Sequence, residues 1–279
     1  MPLAEWVEKY VKEWLFNQRP LFRKLSAPID TVLSSLDSLF NFIPFPIIVL
    51  LVAFAAYKTN GIRFAVFTIL SLIFIDLVDV WSETMTTLAM IFTAVLFCVI
   101  IGIPLGILAS RSSIFEMILR PILDVMQTIP SFVYLIPVVM LLGIGKVPGL
   151  IAVCIYAIPP IVRLTNLGIR LVDKDALEAA DSFGANYWQK LFGVQMPLAL
   201  PTIFAGVNQT IMMALAMVVI ASMIGVKGLG LPVLRAISNQ YLALGLMNGL
   251  AIVILAIIFD RVTQKFGLRM QKYRNDGKG

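Results

Sequence analysis

The sequence predicts an all-α polytopic membrane protein with about seven transmembrane helices. Three observations carry that expectation. Hydrophobic residues make up 59% of the 279 residues and charged residues only 14%, whereas a soluble domain is nearer half and a quarter. Apolar stretches approaching the roughly 20 residues of a bilayer-spanning helix recur along the chain. Lysines and arginines of the short loops fall mostly on one side of these stretches.

The first element, residues 1–42, is an amphipathic segment. Trp6, Val7, Tyr10, Val11, Trp14 and Leu15 recur at three- and four-residue spacing, with Glu5, Glu8, Lys9, Lys12 and Glu13 between them. Two readings stand: a helix lying in the membrane interface among lipid, or one packed on the protein's own membrane domain. Both place it at the outer leaflet. Its alternation of charge and aromatics is not the pattern of a cleavable secretory signal. Spans are then expected at 43–57, 62–80, 85–109, 121–142, 149–171, 198–224 and 244–262. The first is short and opens at Pro44 and Pro46, which suits a tilted or partly embedded helix. Residues 43–84 form an accessory pair of spans, 85–265 the core domain with a helical loop at 175–197, and 266–279 a basic tail.

Orientation follows from the cations. Lys58, Arg63, Arg111, Arg120, Arg163, Arg170, Lys174 and Lys190 share one side with Arg261, Lys265, Arg269, Lys272, Arg274 and Lys278 of the tail. That side is assigned as cytoplasmic, giving an N-terminus outside and a C-terminus inside. Asp76, Asp79 and Glu83 lie opposite, with Lys146, Lys227 and Arg235 as exceptions. The net charge of +6 is therefore a topology signal and requires no nucleic-acid partner. Cys98 and Cys154 fall inside apolar spans, which speaks against a disulfide framework or a zinc site. The chain has no histidine, the commonest metal-ligand and proton-relay residue.

The most informative stretch is the loop between the fifth and sixth spans. Asp175 and Glu178 have capping-box spacing, so a helix is expected from Ala176 to about Phe183. Gly184 in a helix interior costs about 1 kcal/mol against alanine, so it is read as the positive-φ residue that ends that helix. Asn186 and Gln189 repeat the capping signal. A second short helix with Tyr187, Trp188, Leu191 and Phe192 is expected to stop at Pro197. Two short helices with an aromatic knob make a plug for a socket on a partner.

The loop resembles the cytoplasmic signature of ABC importer permeases: Glu178, Ala179, Ala180, Gly184, Val194, Met196 and Pro197 occupy that pattern. The resemblance extends to Asp124-Val125-Met126-Gln127-Thr128-Ile129-Pro130-Ser131-Phe132-Val133-Tyr134, Ala157-Ile158-Pro159-Pro160, Ala205-Gly206-Val207-Asn208-Gln209 and Gly228-Leu229-Gly230. These look like the glycine betaine/proline betaine, or quaternary-amine, permeases. The resemblance implies a type I ABC importer permease (MetI-like) fold and a non-catalytic subunit for osmoprotectant uptake. The partners it implies are two ATPase subunits, a second permease copy that is the same chain in a homodimer, and an extracytoplasmic substrate-binding protein. Glu178, Ala179, Ala180, Gly184, Tyr187, Trp188 and Pro197 would couple to the ATPase.

Polar residues inside spans are functional candidates. Gln127, Ser131 and Tyr134 are spaced to share a helical stripe, and Asn208 and Gln209 fall in the sixth span. They line a hydrated path between two permease copies, or they hydrogen-bond between helices. Asp76 and Asp79 are a vestibule or solvated rim charges. Met212, Met213, Met217 and Met223 read as adaptable packing. Gly225, Gly228 and Gly230 make either a gating or an ordinary outer loop. The chain lacks a Gly-x-x-x-x-Gly-Lys-Ser/Thr phosphate loop, so it is expected to bind no cofactor and ATP belongs to the partner. No aromatic cage for a quaternary ammonium is evident in the spans, which implies selection by a separate receptor. A secondary transporter is disfavoured by the scarcity of mid-span carboxylates, and a channel has no use for the 178–197 plug.

Overall fold

The computed structural model describes residues 5–275, and among them there is no β-strand. A π-helical turn at Val7–Val11 leads into α1 (Lys12–Phe42). Ile43 is extended because it precedes Pro44, and the chain turns by 102° into α2 (Phe45–Asn60). Gly61, at φ +85°, joins α2 to α3 (Ile62–Leu77) as a helical hairpin. The core domain then runs through α4 (Trp81–Arg111), α5 (Ser113–Thr128), α6 (Leu135–Leu142) and α7 (Lys146–Arg170). The loop helices are α8 (Lys174–Ser182) and α9 (Tyr187–Lys190); a π-helical turn at Leu191–Gln195 continues into α10 (Met196–Ser222). A short α11 (Gly230–Asn239) and the long α12 (Leu242–Asn275) complete the fold.

The expected seven spans are corrected in number. Among the described residues, four helices are long and apolar enough to cross a bilayer, or five if the bent α1–α2 pair counts as one span. Two causes explain the difference. α2 and α3 have 16 residues each, about 24 Å of helix at 1.5 Å per residue, short of the hydrocarbon thickness. The expected fourth span, 121–142, is not one helix. Ile129 takes an extended conformation before Pro130, residues 131–134 form turns, and helix resumes only at Leu135. The Val133 amide bonds the Pro130 carbonyl at 2.8 Å, so the break satisfies its own backbone.

α7 is the central helix, packed against α4 on one side and α10 on the other, with α4 and α10 also touching. The approach is backbone-close because the seam is lined by small residues. Gly102 and Gly106 of α4 have the small-xxx-small spacing that lets membrane helices approach closely. A Cβ on Gly106 would lie 2.5 Å from the Thr165 Cβ and 2.8 Å from the Val162 carbonyl oxygen. Gly206 on α10 faces the Ile161 Cα of α7, where a Cβ would sit 3.1 Å away. The two cysteine thiols belong to the same seam: Cys98 points at the Cys154 carbonyl and Cys154 at the Ala94 carbonyl, each at 3.7 Å. Leu150, Ile161, Ala214 and Met217 fill the core between these helices.

The other elements dress this three-helix core. α12 packs on α10, and the α2–α3 hairpin packs on α12. α1 lies across α4, α6 and α7, with Leu33 buried, Asp37 paired with Lys146 at 2.7 Å, and Arg19 bonded to the Met140 carbonyl at 2.5 Å. It thus packs on the protein's own domain while Trp6, Tyr10 and Trp14 stay exposed. The 225–230 glycine loop is docked: the Leu229 side chain is buried and its amide donates to the Thr87 hydroxyl at 2.9 Å. Residues 1–4 of the amphipathic segment and 276–279 of the basic tail lie outside the described residues.

Gly106→Val must push α4 from α7. The expected cost is about 1–3 kcal/mol, read as a lower thermal unfolding midpoint in detergent. Gly249→Ala, where nothing lies within 4 Å of the added carbon, should leave the midpoint near wild type. Equal effects from the two changes would contradict the close seam.

Candidate functional site

At the end of the core where α4 and α7 finish, α8 and α9 form a compact pair. The N-cap of α8 is Asp173, whose carboxylate accepts from the Asp175 amide at 3.1 Å. The expected cap, Asp175, is therefore corrected: it stands within the first turn. The physical reason is that Asp173 has the extended φ/ψ an N-cap requires as the chain leaves α7 at Val172, whereas Asp175 is already helical. Glu178 and Ala179 are exposed on α8, and Ala180 is buried against the body. Gly184 has φ +74° and closes the helix as expected. Its amide bonds Asp181, at 2.9 Å, and the Ala185 amide bonds Ala180, at 3.0 Å, the two bonds of a Schellman termination.

The second capping signal is met on both sides. The Gln189 amide donates to the Asn186 side chain at 2.9 Å, and the Asn186 amide to the Gln189 side chain at 2.8 Å. Lys190 pairs with Asp181 at 2.6 Å and ties α9 to α8. Pro197 does not stop this helix, which corrects the expected boundary. The Met196 amide reaches five residues back to Leu191, and the wide turn carries Pro197 to the start of α10, where its missing N–H is tolerated. The 36 residues from Tyr187 to Ser222 are one span. Leu191 is buried beside Ile169, Ala199 and Ile203, so the plug is anchored in the core.

Its aromatics point outward. Phe183 is 92% exposed and Trp188 59%, with the Trp188 and Phe192 rings stacked at 5.9 Å. Tyr187 is half-buried, and the Arg111 guanidinium at the end of α4 sits 3.5 Å from its ring centroid. Sequence reading counted Arg111 only as a topology marker; nothing local in the sequence pairs it with a tyrosine 76 positions away.

The polar candidates divide. Gln127 on α5 approaches the Met213 sulfur of α10 at 3.7 Å, Ser131 is half-buried in the turn after α5, and Tyr134 heads α6 with its hydroxyl buried and unpartnered. They follow one another along the broken segment, but the single helical stripe expected for them is corrected, because the helix ends at Thr128. Gln209, exposed, shares a face of α10 with Met213 four residues on. Asn208 is turned elsewhere. It donates to Asp260 of α12 at 2.9 Å and accepts from the Thr263 hydroxyl, beside a cavity of about 390 Å³ lined by Pro201, Phe204 and Gln264. Asn208 is thus an α10–α12 tie, the interhelical hydrogen bonding that was the alternative reading for it.

The structure also assembles an ionic cluster, of which sequence reading had counted Arg120, Arg163 and Arg170 as topology charges. Glu116 of α5 accepts from Arg120 at 2.9 Å and Asn166 at 3.2 Å, and pairs with Arg170 of α7 at 2.8 Å. Arg170 also donates to the Ala109 carbonyl at 2.8 Å, and Arg163 pairs with Asp124 at 2.5 Å. The four-residue spacings 116–120–124 were its signal on α5.

Comparison with known proteins bears on this geometry. A family model, binding-protein-dependent transport system inner membrane component, matches residues 102–272. The chain belongs to that family. It is 50% identical over 267 residues to the glycine betaine/proline betaine transport system permease protein ProW of Escherichia coli (strain K12), covering 96% of this chain and 75% of that one. It is 44% identical to the glycine betaine/carnitine transport permease protein GbuB of Listeria monocytogenes, covering 95% of each chain. The glycine betaine transport system permease protein OpuAB of Bacillus subtilis is 38% identical, over 99% of this chain and 98% of that one. Among solved structures, the inward-facing MetNI methionine ABC transporter matches with a TM-score of 0.60 at 22% identity, covering 66% of this chain and 92% of that one. The fold is that of a type I ABC importer permease, and the chain is a multi-pass inner-membrane component that works with an ATPase and a substrate-binding protein.

Glu116 gives the cluster a pH signature. Burial alone would raise its carboxyl, but hydrogen bonds from Arg120 and Asn166 and the charges of Arg170 and Arg120 outweigh this and hold it below the ordinary carboxylate value. A group whose folded pKa is depressed contributes stability above its unfolded pKa, about 4.3 for glutamate, and loses it as pH falls through the folded value. The solubilised protein should lose thermal stability as pH drops below about 4.3, and Glu116→Gln should flatten that limb. An unchanged slope would remove Glu116 from the account.

Proposed function

We propose that this chain is the membrane-spanning, non-catalytic subunit of an ATP-driven importer for glycine betaine or a related quaternary amine such as proline betaine, carnitine or choline. The observation that carries the reading is the 50% identity to a glycine betaine/proline betaine permease sustained over 96% of the chain. Two copies pair around the path, two ATPase subunits bind ATP, and an extracytoplasmic receptor selects the solute for osmoprotection. The N-terminus lies outside and the C-terminus inside, a reading supported by the lysine and arginine asymmetry of the loops.

The exposed Phe183, Trp188 and Phe192 make the α8–α9 pair the coupling plug, since large aromatics in a desolvated pocket dominate interface energy. The Schellman turn at Gly184 and the Asn186–Gln189 box hold the pair in one shape, with Glu178, Ala179 and Ala180 on its first helix. ATP-driven closure of the ATPases pulls on the plug. The pull passes directly into α10, because no loop interrupts Tyr187–Ser222, and into α4 through Arg111 on Tyr187. Pro197, at the restart after the π turn, is where the plug can pivot on α10. Opening exposes Gln127, Ser131, Tyr134 and Gln209 as a polar lining that keeps the path wet without holding the solute tightly.

The test is ATP-dependent uptake of glycine betaine by the complex reconstituted with its ATPase and receptor. Accumulation should be competed by proline betaine and carnitine and be insensitive to methionine. Uptake of methionine with no uptake of any quaternary amine would overturn the reading.

A further inference from the structure

The cavity between α5 and α7 has a volume of about 360 Å³ and walls that carry both signs of charge at helical spacing. One group of its polar side chains is saturated. Glu116 is held by Arg120, Asn166 and Arg170, and Arg170 reaches on to the Ala109 carbonyl, so these groups join the ends of α4, α5 and α7. The Arg163–Asp124 pair is different. Arg163 and Asp124 meet through a single nitrogen–oxygen contact of 2.5 Å, with side chains 42% and 55% exposed. A guanidinium has five N–H donors in a fixed fork, and this one makes no other polar contact among the described residues. Leu119, Leu123 and Val162 supply apolar surface beside the pair.

We propose that this pair and the cavity wall beside it form a low-affinity binding site for a small zwitterion, in which Arg163 takes the carboxylate and Asp124 faces the quaternary ammonium. The site rests on the quaternary-amine reading above, and makes it specific. The pair is held by a single contact, so a ligand that offers both opposite charges replaces it contact for contact and leaves neither partner unpaired. A simple cation or a simple anion satisfies one wall and strands the other. The N-methyl groups, which donate no hydrogen bond, need apolar contact, and Leu123 and Val162 lie in the same cavity. Asp124 precedes Gln127 by three residues on the same face of α5, so the site adjoins the polar stretch that leads to Ser131 and Tyr134. Weak binding suits a waypoint from which the solute must leave.

The test uses the permease–ATPase complex in nanodiscs without its receptor, probed with millimolar glycine betaine by saturation-transfer NMR on the N-methyl protons. Wild type should show transfer that carnitine displaces, with choline and acetate several-fold less effective. Arg163→Gln and Asp124→Asn should each weaken binding about tenfold, the scale of one lost charge-assisted hydrogen bond. Arg163→Lys, which keeps the charge and loses the fork, should weaken it less and guards against misfolding of the neutral variants. Absence of transfer in wild type, or equal transfer in all variants, overturns the site. Receptor-dependent uptake measured on the same preparations separates the two ideas: uptake without cleft binding removes only the site, whereas failure to take up any quaternary amine removes the reading and the site together.

Discussion

The close approach of α4 to α7 is the constraint on which the rest depends. In lipid there is no hydrophobic drive between apolar helices, so association comes from van der Waals fit and interhelical bonds, and small residues make that fit possible. Gly106 brings α4 against Thr165 and the Val162 carbonyl, and Gly206 brings α10 against the same helix from the other side. With α7 clamped between them, the ends of α4 and α7 are fixed relative to each other. That is what lets Arg111, on the last turn of α4, meet Tyr187, and what lets Arg170 span Glu116 and the Ala109 carbonyl. Both the plug and the ionic cleft are therefore attached to one body.

Backbone satisfaction explains where the chain is allowed to be irregular. The bend at Pro44 and the break at Pro130 both occur where a proline has already removed a donor, and turn hydrogen bonds serve the neighbouring amides. A third irregularity beside a proline is the π turn at Leu191–Gln195. Two of the three border the proposed working parts: the polar stretch after α5, and the plug before α10. Regular helix carries load between them, and the irregular segments are where a change of conformation costs fewest bonds.

Local chemistry was legible in the sequence and three-dimensional pairing was not. Gly184, Asn186 and Gln189 were read correctly because a positive-φ termination and a capping box involve only neighbours a few residues apart. Asp173 escaped notice because the residue three positions on is Ala176, whereas Asp175 has Glu178 at capping-box spacing; the path of the chain out of α7 places the cap two residues earlier. Pro197 was misjudged because a proline reads as a stop unless a wide turn precedes it. The span count was too high because hydropathy counts apolar residues, not helix length, and α2, α3 and the α5–α6 pair are apolar but short or broken. Asn208 looked like Gln127 in sequence, yet five positions separate it from Met213, more than a third of a helical turn around α10, so it meets Asp260 instead. The Gly102–Gly106 seam had a readable spacing, but its partner residues on α7 did not.

The role assigned to the loop is tested most directly by photocrosslinking. A photoreactive amino acid in place of Phe183, the most exposed aromatic of the plug, is irradiated in the assembled complex in native membranes. The proposed arrangement predicts a covalent adduct between this chain and the ATPase subunit. Adducts only with lipid or with the extracytoplasmic receptor would contradict it.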